Sequence, residues 1–219
     1  MMLLYAVAAG DADSTAATEG TPLRAHRYDD VTVFVEPRTQ APERSTREVF
    51  AYGRILHQLW TRFPVLPVRF GTVVSDETEL EQLVAEHESA WTERLTAVAG
   101  RSECIVHLPL PSDAVDSTDS TDSTDNAEQT GTDYLRRRAA EVRAHEHETA
   151  ELKALLAPYA SEITPLPQVR PSEARLSVLV ADEVVEEVLA AVEWWATSRA
   201  GATITGPWPP FSFCQEVGA

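Results

Sequence analysis

Hydrophobic and polar positions along the chain alternate between short apolar runs and helical stripes. Continuous apolar or β-branched runs predict strands at residues 3–9, 31–36, 65–74, 103–110 and 174–181. Stripes with helical spacing predict helices over 45–60, 77–99, 131–157 and 182–200. A proline-punctuated stretch at 162–170 and the segment after Gly201 predict two more strands. The chain is therefore predicted to contain both helices and strands.

Helix boundaries are marked by local capping residues. Ser45 followed by Glu48 forms a capping box, and the predicted apolar stripe behind it is Val49, Tyr52, Leu56 and Leu59. Asp76 is the predicted cap of the second helix, and Asp182 that of the last. Pro67 lies inside the predicted strand 65–74, which favours an edge, a bulge or a strand start there.

The order of elements after residue 103 predicts the architecture of the C-terminal half. Strand, helix, strand, strand, helix, strand is the βαββαβ order of the ferredoxin-like fold. We therefore predict an α+β protein with an N-terminal mixed α+β domain over 1–100 and a ferredoxin-like domain over 101–219. An acidic insert at about 112–130 contains the repeat DSTDSTDSTDN, which has nothing apolar to bury and is predicted to be disordered.

Charge narrows the classes of partner. The 219 residues include 35 acidic and 18 basic ones, a net charge of −17, which should repel nucleic acid and anionic membranes. This composition suits a salt-rich cytoplasm, and a GC-rich genome is the alternative cause of the arginine bias, in which Lys153 is the single lysine among the basic residues. MMLLYAVAAG lacks a basic flank and is too short to span a bilayer, so we interpret it as a first strand. A soluble cytoplasmic protein is expected.

Candidate catalytic and metal-binding residues are few. His145 and His147 stand two apart on a predicted helix and point in different directions, which favours a solvated face over a metal site. Cys104 lies within an apolar strand, where a thiol is usually part of the core. Arg136–Arg138 either meet an acidic partner or balance the neighbouring acidic insert. No phosphate-binding or nucleophile motif is present, so we predict no cofactor and no metal.

Trp194 is the most informative single aromatic residue. On the last helix it falls opposite the apolar stripe that includes Trp195. One interpretation is a tryptophan covered by the other domain, and the other is an exposed contact residue for a protein partner.

Three stretches resemble the gas vesicle protein F/L family. VLPVRFGTV at 65–73 and GPWPPFSF at 206–213 are similar to its two characteristic stretches, and GTDYLRRR at 131–138 resembles its central Gly-x-x-Tyr-Leu element. The resemblance spans nearly the whole chain, and the short length is closer to the F branch than to the L branch. It implies a non-enzymatic role as an accessory or minor structural protein of gas vesicles, with two α+β domains of which the second is ferredoxin-like.

The resemblance also implies partners, namely the hydrophobic main shell protein and other accessory proteins, met during early assembly in the cytoplasm or at the gas vesicle. The alternatives are a scaffold that binds other accessory proteins alone and, remotely, a small enzyme that uses Cys104 or a histidine pair. The candidate interaction or structural residues are Arg69, Trp194, Trp208, Phe211 and Phe213. We expect Trp208, with Phe211 or Phe213, to pack on the ferredoxin-like sheet, and the rival view makes this tail an exposed binding site.

Overall fold

The computed structural model describes residues 1–13, 19–109, 131–169, 173–197 and 201–214, and for most residues between 131 and 145 it describes the backbone alone. The strands are β1 (Met2–Ala9), β2 (Arg24–Arg27), β3 (Val31–Pro37), β4 (Val65–Pro67), β5 (Val73–Val74), β6 (Arg101–Pro109), β7 (Ala160–Leu166), β8 (Glu173–Ala181) and β9 (Thr203–Trp208). The helices are α1 (Thr46–Trp60), α2 (Glu77–Val98), α3 (Gly131–Leu156) and α4 (Val185–Ala196). The predicted acidic insert lies outside the described residues. An α+β fold is confirmed.

The first sheet has the order β2-β3-β1-β4, and β5 also pairs with β1. β1 runs antiparallel to β3, with Met2 opposite Pro37 and Ala9 opposite Val31. A bulge between Leu4 and Ala6 lets Tyr5 and Ala6 face the same cluster, whereas Leu4 and Val7 face the other. Because α1 residues complete one cluster and α2 residues the other, β1 is buried on both faces. This burial explains its continuous apolar run.

Helix α1 is fixed to this sheet by a buried tyrosine. The Tyr52 hydroxyl lies 3.1 Å from the Leu4 carbonyl oxygen, 3.3 Å from that of Tyr5 and 2.5 Å from that of Val68. The Tyr52 ring stacks on Tyr5 at a centroid distance of 4.3 Å. The Ser45 cap is confirmed, since its side chain accepts from the Glu48 N–H. The predicted stripe needs one correction: Ile55 is buried, whereas Val49 is 48 % exposed and lies on the outer part of the helix.

The second sheet has the order β7-β8-β6-β9. In the chain order of these four strands, this is the arrangement 2-3-1-4 that the ferredoxin-like fold requires, so that prediction is confirmed. β6 and β8 are the inner strands and carry the buried apolar residues, including Cys104, Val106, Val178 and Val180. Leu152 and Leu156 of α3 and Val188 and Val192 of α4 are also fully buried.

Three sequence predictions differ from the structure. The strand 65–74 is split into β4 and β5 because Gly71 takes a φ of 94° in a turn between them. β2 was not predicted, since RAHR has no apolar alternation. Asp182 does not cap α4: its carboxylate accepts a hydrogen bond from Ser102 Oγ at 2.5 Å, and Val184 is the N-cap without a side-chain bond.

The chain divides into two compact units. The first contains Met1–Cys104, Leu179–Asp182 and the residues from Gly206 onward, and the second contains the described residues of Ile105–Val178 and Glu183–Thr205. The domain boundary predicted at residue 100 stays a prediction. The C-terminal residues from Gly206 belong to the first unit, and this assignment bears directly on the candidate site.

Candidate functional site

The C-terminal segment, Gly206–Cys214, begins where β9 meets the main chain of β6. A Cβ atom at Gly206 would lie 2.9 Å from the Glu103 carbonyl oxygen and 3.1 Å from Cys104 Sγ, and its φ is 143°. Both the close approach and the backbone angle therefore require glycine. Pro209 and Pro210 follow and are buried. The segment is therefore packed against the folded chain at Gly206, Pro209 and Pro210.

A buried carboxylate holds this segment in place. Glu103 is 1 % exposed, and its two carboxylate oxygens accept from Ser212, at 2.8 Å from the backbone N–H and at 2.5 Å from the hydroxyl. A buried carboxylate without such donors would be costly, and hydrogen bonds to a charged acceptor are among the stronger ones. The sequence analysis missed this contact. The acidic residue beside Cys104 in an otherwise apolar strand was the one signal for it.

Phe213 is the aromatic residue that anchors the segment. It is 5 % exposed and belongs to the core cluster that contains Trp91, Leu95 and Leu179. The Arg94 guanidinium carbon lies 6.0 Å from the centre of the Phe213 ring, and Arg94 Nε donates to the Phe213 carbonyl oxygen. Phe213 therefore packs in the core of the first unit, in a cluster formed mainly by the first sheet and α2.

Trp208 and Phe211 behave differently from Phe213. Trp208 is 45 % exposed and Phe211 is 46 % exposed. Both rings are thus about half exposed, and the packing of Trp208 on the ferredoxin-like sheet stays a prediction. Phe211 and Phe213 differ because side chains in a 3₁₀ turn are rotated by about 120° per residue, so Phe213 enters the core and Phe211 does not.

Trp194 is 74 % exposed on α4. Val185, Val188, Val192 and Trp195 form the buried side of the same helix. The alternative in which protein atoms cover Trp194 is thus wrong, and a large apolar ring lies in solvent beside the exposed Glu187 and Ala190.

Arg69 lies in the turn that separates β4 from β5. The Thr72 N–H donates to the Arg69 carbonyl oxygen at 3.2 Å, and Val68 and Thr72 bond to β1 on either side. The Arg69 side chain is exposed, while the neighbouring Phe70 ring packs edge-on against Tyr52 at 5.2 Å. The VLPVRFGTV stretch therefore builds a turn with Phe70 directed inward and Arg69 outward.

The two thiols are poor nucleophiles in this structure. Burial raises the pKa of Cys104 to about 11, and burial also raises the pKa of Cys214 to about 12. Both are therefore uncharged near neutral pH, whereas thiol catalysis uses the thiolate. This chemistry argues against the remote enzyme alternative that uses Cys104.

The described residues show no constellation for metal chemistry. His147 is exposed on α3, with its Nε2 atom 3.4 Å from Glu151 Oε1, and the side chains of His145 and Arg136–Arg138 lie outside the described part. No group of three His, Cys, Asp or Glu residues in the described ranges is placed to hold a metal ion. Among those residues, none of the helices has the length and apolarity needed to cross a membrane.

Comparison with protein families gives one match over residues 1–215, to the family described as gas vesicle synthesis protein GvpL/GvpF. A curated relative, gas vesicle protein L from Streptomyces sp. (strain CB03234), is 26 % identical over 178 residues, which cover 74 % of this chain and 67 % of the relative.

Two solved structures share the fold. The crystal structure of GvpF from Anabaena sp. PCC7120 has a TM-score of 0.80 at 19 % identity and covers 98 % of this chain and 95 % of its own. The crystal structure of GvpF from Microcystis aeruginosa has a TM-score of 0.77 at 15 % identity and covers 98 % of each chain. Because these relatives carry both the F and the L names, assignment to the F branch stays a prediction.

Proposed function

Because this chain belongs to the gas vesicle synthesis protein GvpL/GvpF family, we propose that it binds the main shell protein and other accessory proteins during early gas vesicle assembly. The family match, which extends over residues 1–215, is the observation that supports a role in gas vesicles. The proposal places the chain at the forming vesicle in the cytoplasm, and it assigns the chain a structural or accessory role without catalysis.

The surface of the chain suits the binding of a hydrophobic partner. Two aromatic side chains on helices, Phe50 and Trp194, are each 74 % exposed, although a large apolar ring is normally removed from water. The chain as a whole carries a net charge of −17. A shell subunit exposes apolar surface before it assembles, and such surface aggregates. A partner that covers this surface and contributes repulsive charge would keep the subunit soluble.

The candidate residues divide into two roles under this proposal. Phe213 is structural, because it is buried in the core of the first unit. Arg69, Trp194, Trp208 and Phe211 are candidate contacts, because each has an exposed side chain. Exposed aromatic and arginine side chains are the types that contribute most to protein interfaces.

Co-expression with the shell protein tests the proposal. We expect the soluble fraction of the shell protein to rise when this chain is present and the two proteins to be recovered together. The Trp194→Ala variant should fold normally, since the ring is mostly in solvent, and any loss of recovery with it reports on binding. If the shell protein stays insoluble while other accessory proteins are recovered with the chain, the scaffold alternative is correct. If neither is recovered, the proposed function is wrong.

A further inference from the structure

The outward face of α1 carries an aromatic residue where a surface helix normally carries polar ones. Tyr52, Ile55, Leu56 and Leu59 turn toward the first sheet, and at 100° per residue Phe50 falls at the centre of the opposite face. Phe50 is 74 % exposed, and Val49 at the edge of the same face is 48 % exposed. The helix therefore has one apolar face in the core and, on the opposite face, an exposed aromatic ring with Val49 at its edge.

Gly53 places an open notch beside Phe50. It lies three residues after Phe50, so the two positions are neighbours on the helix surface. A Cβ atom at Gly53 would meet nothing within 4 Å, so the internal packing of the chain does not require glycine there. Glycine inside a helix is less favourable than alanine. A partner backbone that approaches closely gives a physical reason for it.

The same face is positively charged in an otherwise acidic protein. Helix α1 contains two arginines and one glutamate, a net charge of +1 (2 − 1) within a chain of −17. The single glutamate, Glu48, is already paired with Arg38 at 2.7 Å. Arg47 and Arg54 are exposed on the Phe50 side and, within the described residues, have no ion-pair or hydrogen-bond partner. These two arginines are free to bind carboxylates of another molecule.

We infer that this face, formed by Val49, Phe50 and Gly53 with Arg47 and Arg54, binds an amphipathic helix whose apolar ridge is flanked by acidic side chains. A ridge of apolar side chains fits the notch between Phe50 and the Gly53 backbone, as in ordinary helix packing. The flanking carboxylates meet the two arginines. The inference deepens the proposed function and relies on it only for the identity of the partner. The apolar and basic residues that define the face are taken from the structure.

Val169 provides a control. It is an apolar residue of similar exposure to Phe50, 72 % against 74 %, and it lies outside α1 and outside the candidate contact residues. Val169→Ser therefore removes exposed apolar surface without changing the sequence of α1, and it should not affect binding at the Phe50 face.

The test uses the full chain and a synthetic helical peptide. The peptide carries leucine at i, i+3, i+4 and i+7 with glutamate on both sides, and a second peptide has lysine at every glutamate position. Binding is titrated by a fluorescent label on the peptide. We expect the glutamate peptide to bind and Phe50→Ser or Arg47→Glu with Arg54→Glu to weaken it by about tenfold or more. Val169→Ser should leave its affinity within about twofold. The lysine peptide should not bind at the α1 face.

Several outcomes would overturn the inference. These are equal binding of the two peptides, loss of binding with Val169→Ser instead of Phe50→Ser, and binding of anionic lipid vesicles through Phe50 without binding of the peptide. Circular dichroism of each variant establishes that the fold is kept. Binding of the shell protein itself distinguishes failure of the proposed function from failure of the inferred α1 binding face. If the shell protein still binds the Phe50→Ser variant, the inference that it binds at the α1 face is wrong and the proposed function stands. If the shell protein fails to bind even the unaltered chain while the glutamate peptide binds, the proposed function is wrong and the inference that the α1 face binds an acidic amphipathic helix is supported.

Discussion

Truncation of Phe213 to alanine should cost a large part of the stability of this protein. The side chain is 5 % exposed and lies in the core cluster with Trp91 and Leu95, so its removal leaves a cavity in the first unit. Phenylalanine-to-alanine changes at such sites cost about 3–5 kcal/mol, from lost transfer free energy and the residual cavity. The Arg94 guanidinium also loses the ring that it faces at 6.0 Å. The bond from Arg94 Nε to the carbonyl oxygen of residue 213 involves the backbone and remains possible in the variant.

Phe211 provides a control for the Phe213→Ala variant within the same turn. It lies two residues away in the same 3₁₀ turn and has the same side chain, but it is 46 % exposed. About half of its surface is already in water, so Phe211→Ala should cost about 1 kcal/mol, a fraction of the value for full burial. A protein of this size is stabilised by about 5–15 kcal/mol in total, so the first change is large and the second is small.

Urea denaturation of the two variants and the unaltered chain, at one salt concentration, measures both effects. The difference between the variants should be about 2–4 kcal/mol, which for a chain of this length corresponds to a melting-temperature difference of about 4–16 °C. Equal losses in the two variants, or a loss below about 1 kcal/mol for Phe213→Ala, would refute the reasoning that burial of Phe213 anchors the segment.

Three further predictions concern charge, the buried carboxylate and the thiols. The melting temperature should be higher in molar KCl than in low KCl, because the screening length falls to about 3 Å at 1 M and weakens the repulsion within a chain of net charge −17. An unchanged or lower melting temperature would contradict this. Ser212→Ala should cost about 1–3 kcal/mol in urea denaturation because it removes a hydroxyl donor from the buried Glu103 carboxylate, and a neutral effect would show that another donor replaces it. Burial raises the pKa of Cys104 to about 11 and that of Cys214 to about 12, above the ordinary value of 9.0. Their contribution to stability is therefore complete below pH 9 and is lost as pH rises toward 11–12. The urea concentration at the denaturation midpoint should accordingly be lower at about pH 10 than at about pH 8. Both thiols should also react slowly with a thiol reagent until the chain unfolds.

The types and order of the elements were accessible from the sequence because their causes are local. The capping residues Ser45 and Asp76 act on N–H groups three residues away, and both are caps in the structure. Asp182 shows the limit of this reasoning, since its carboxylate bonds to Ser102, 80 residues earlier in the chain. The split of strand 65–74 also depended on how the backbone around Gly71 meets β1.

The aromatic tail separates what the sequence determined from what the tertiary structure decided. The letters GPWPPFSF indicated a rigid, apolar segment, because proline and aromatic side chains have those properties in any context. They did not indicate which ring is buried. That was decided by contacts with residues distant along the chain: Glu103, 109 residues before Ser212, and Arg94, 119 residues before Phe213. In the same way, helical periodicity placed Trp194 opposite the buried stripe, but its 74 % exposure depends on what else packs nearby. Burial is the sum of contacts from many separate segments, so a local pattern predicts which side of a helix faces outward, and the folded chain alone determines whether anything covers it.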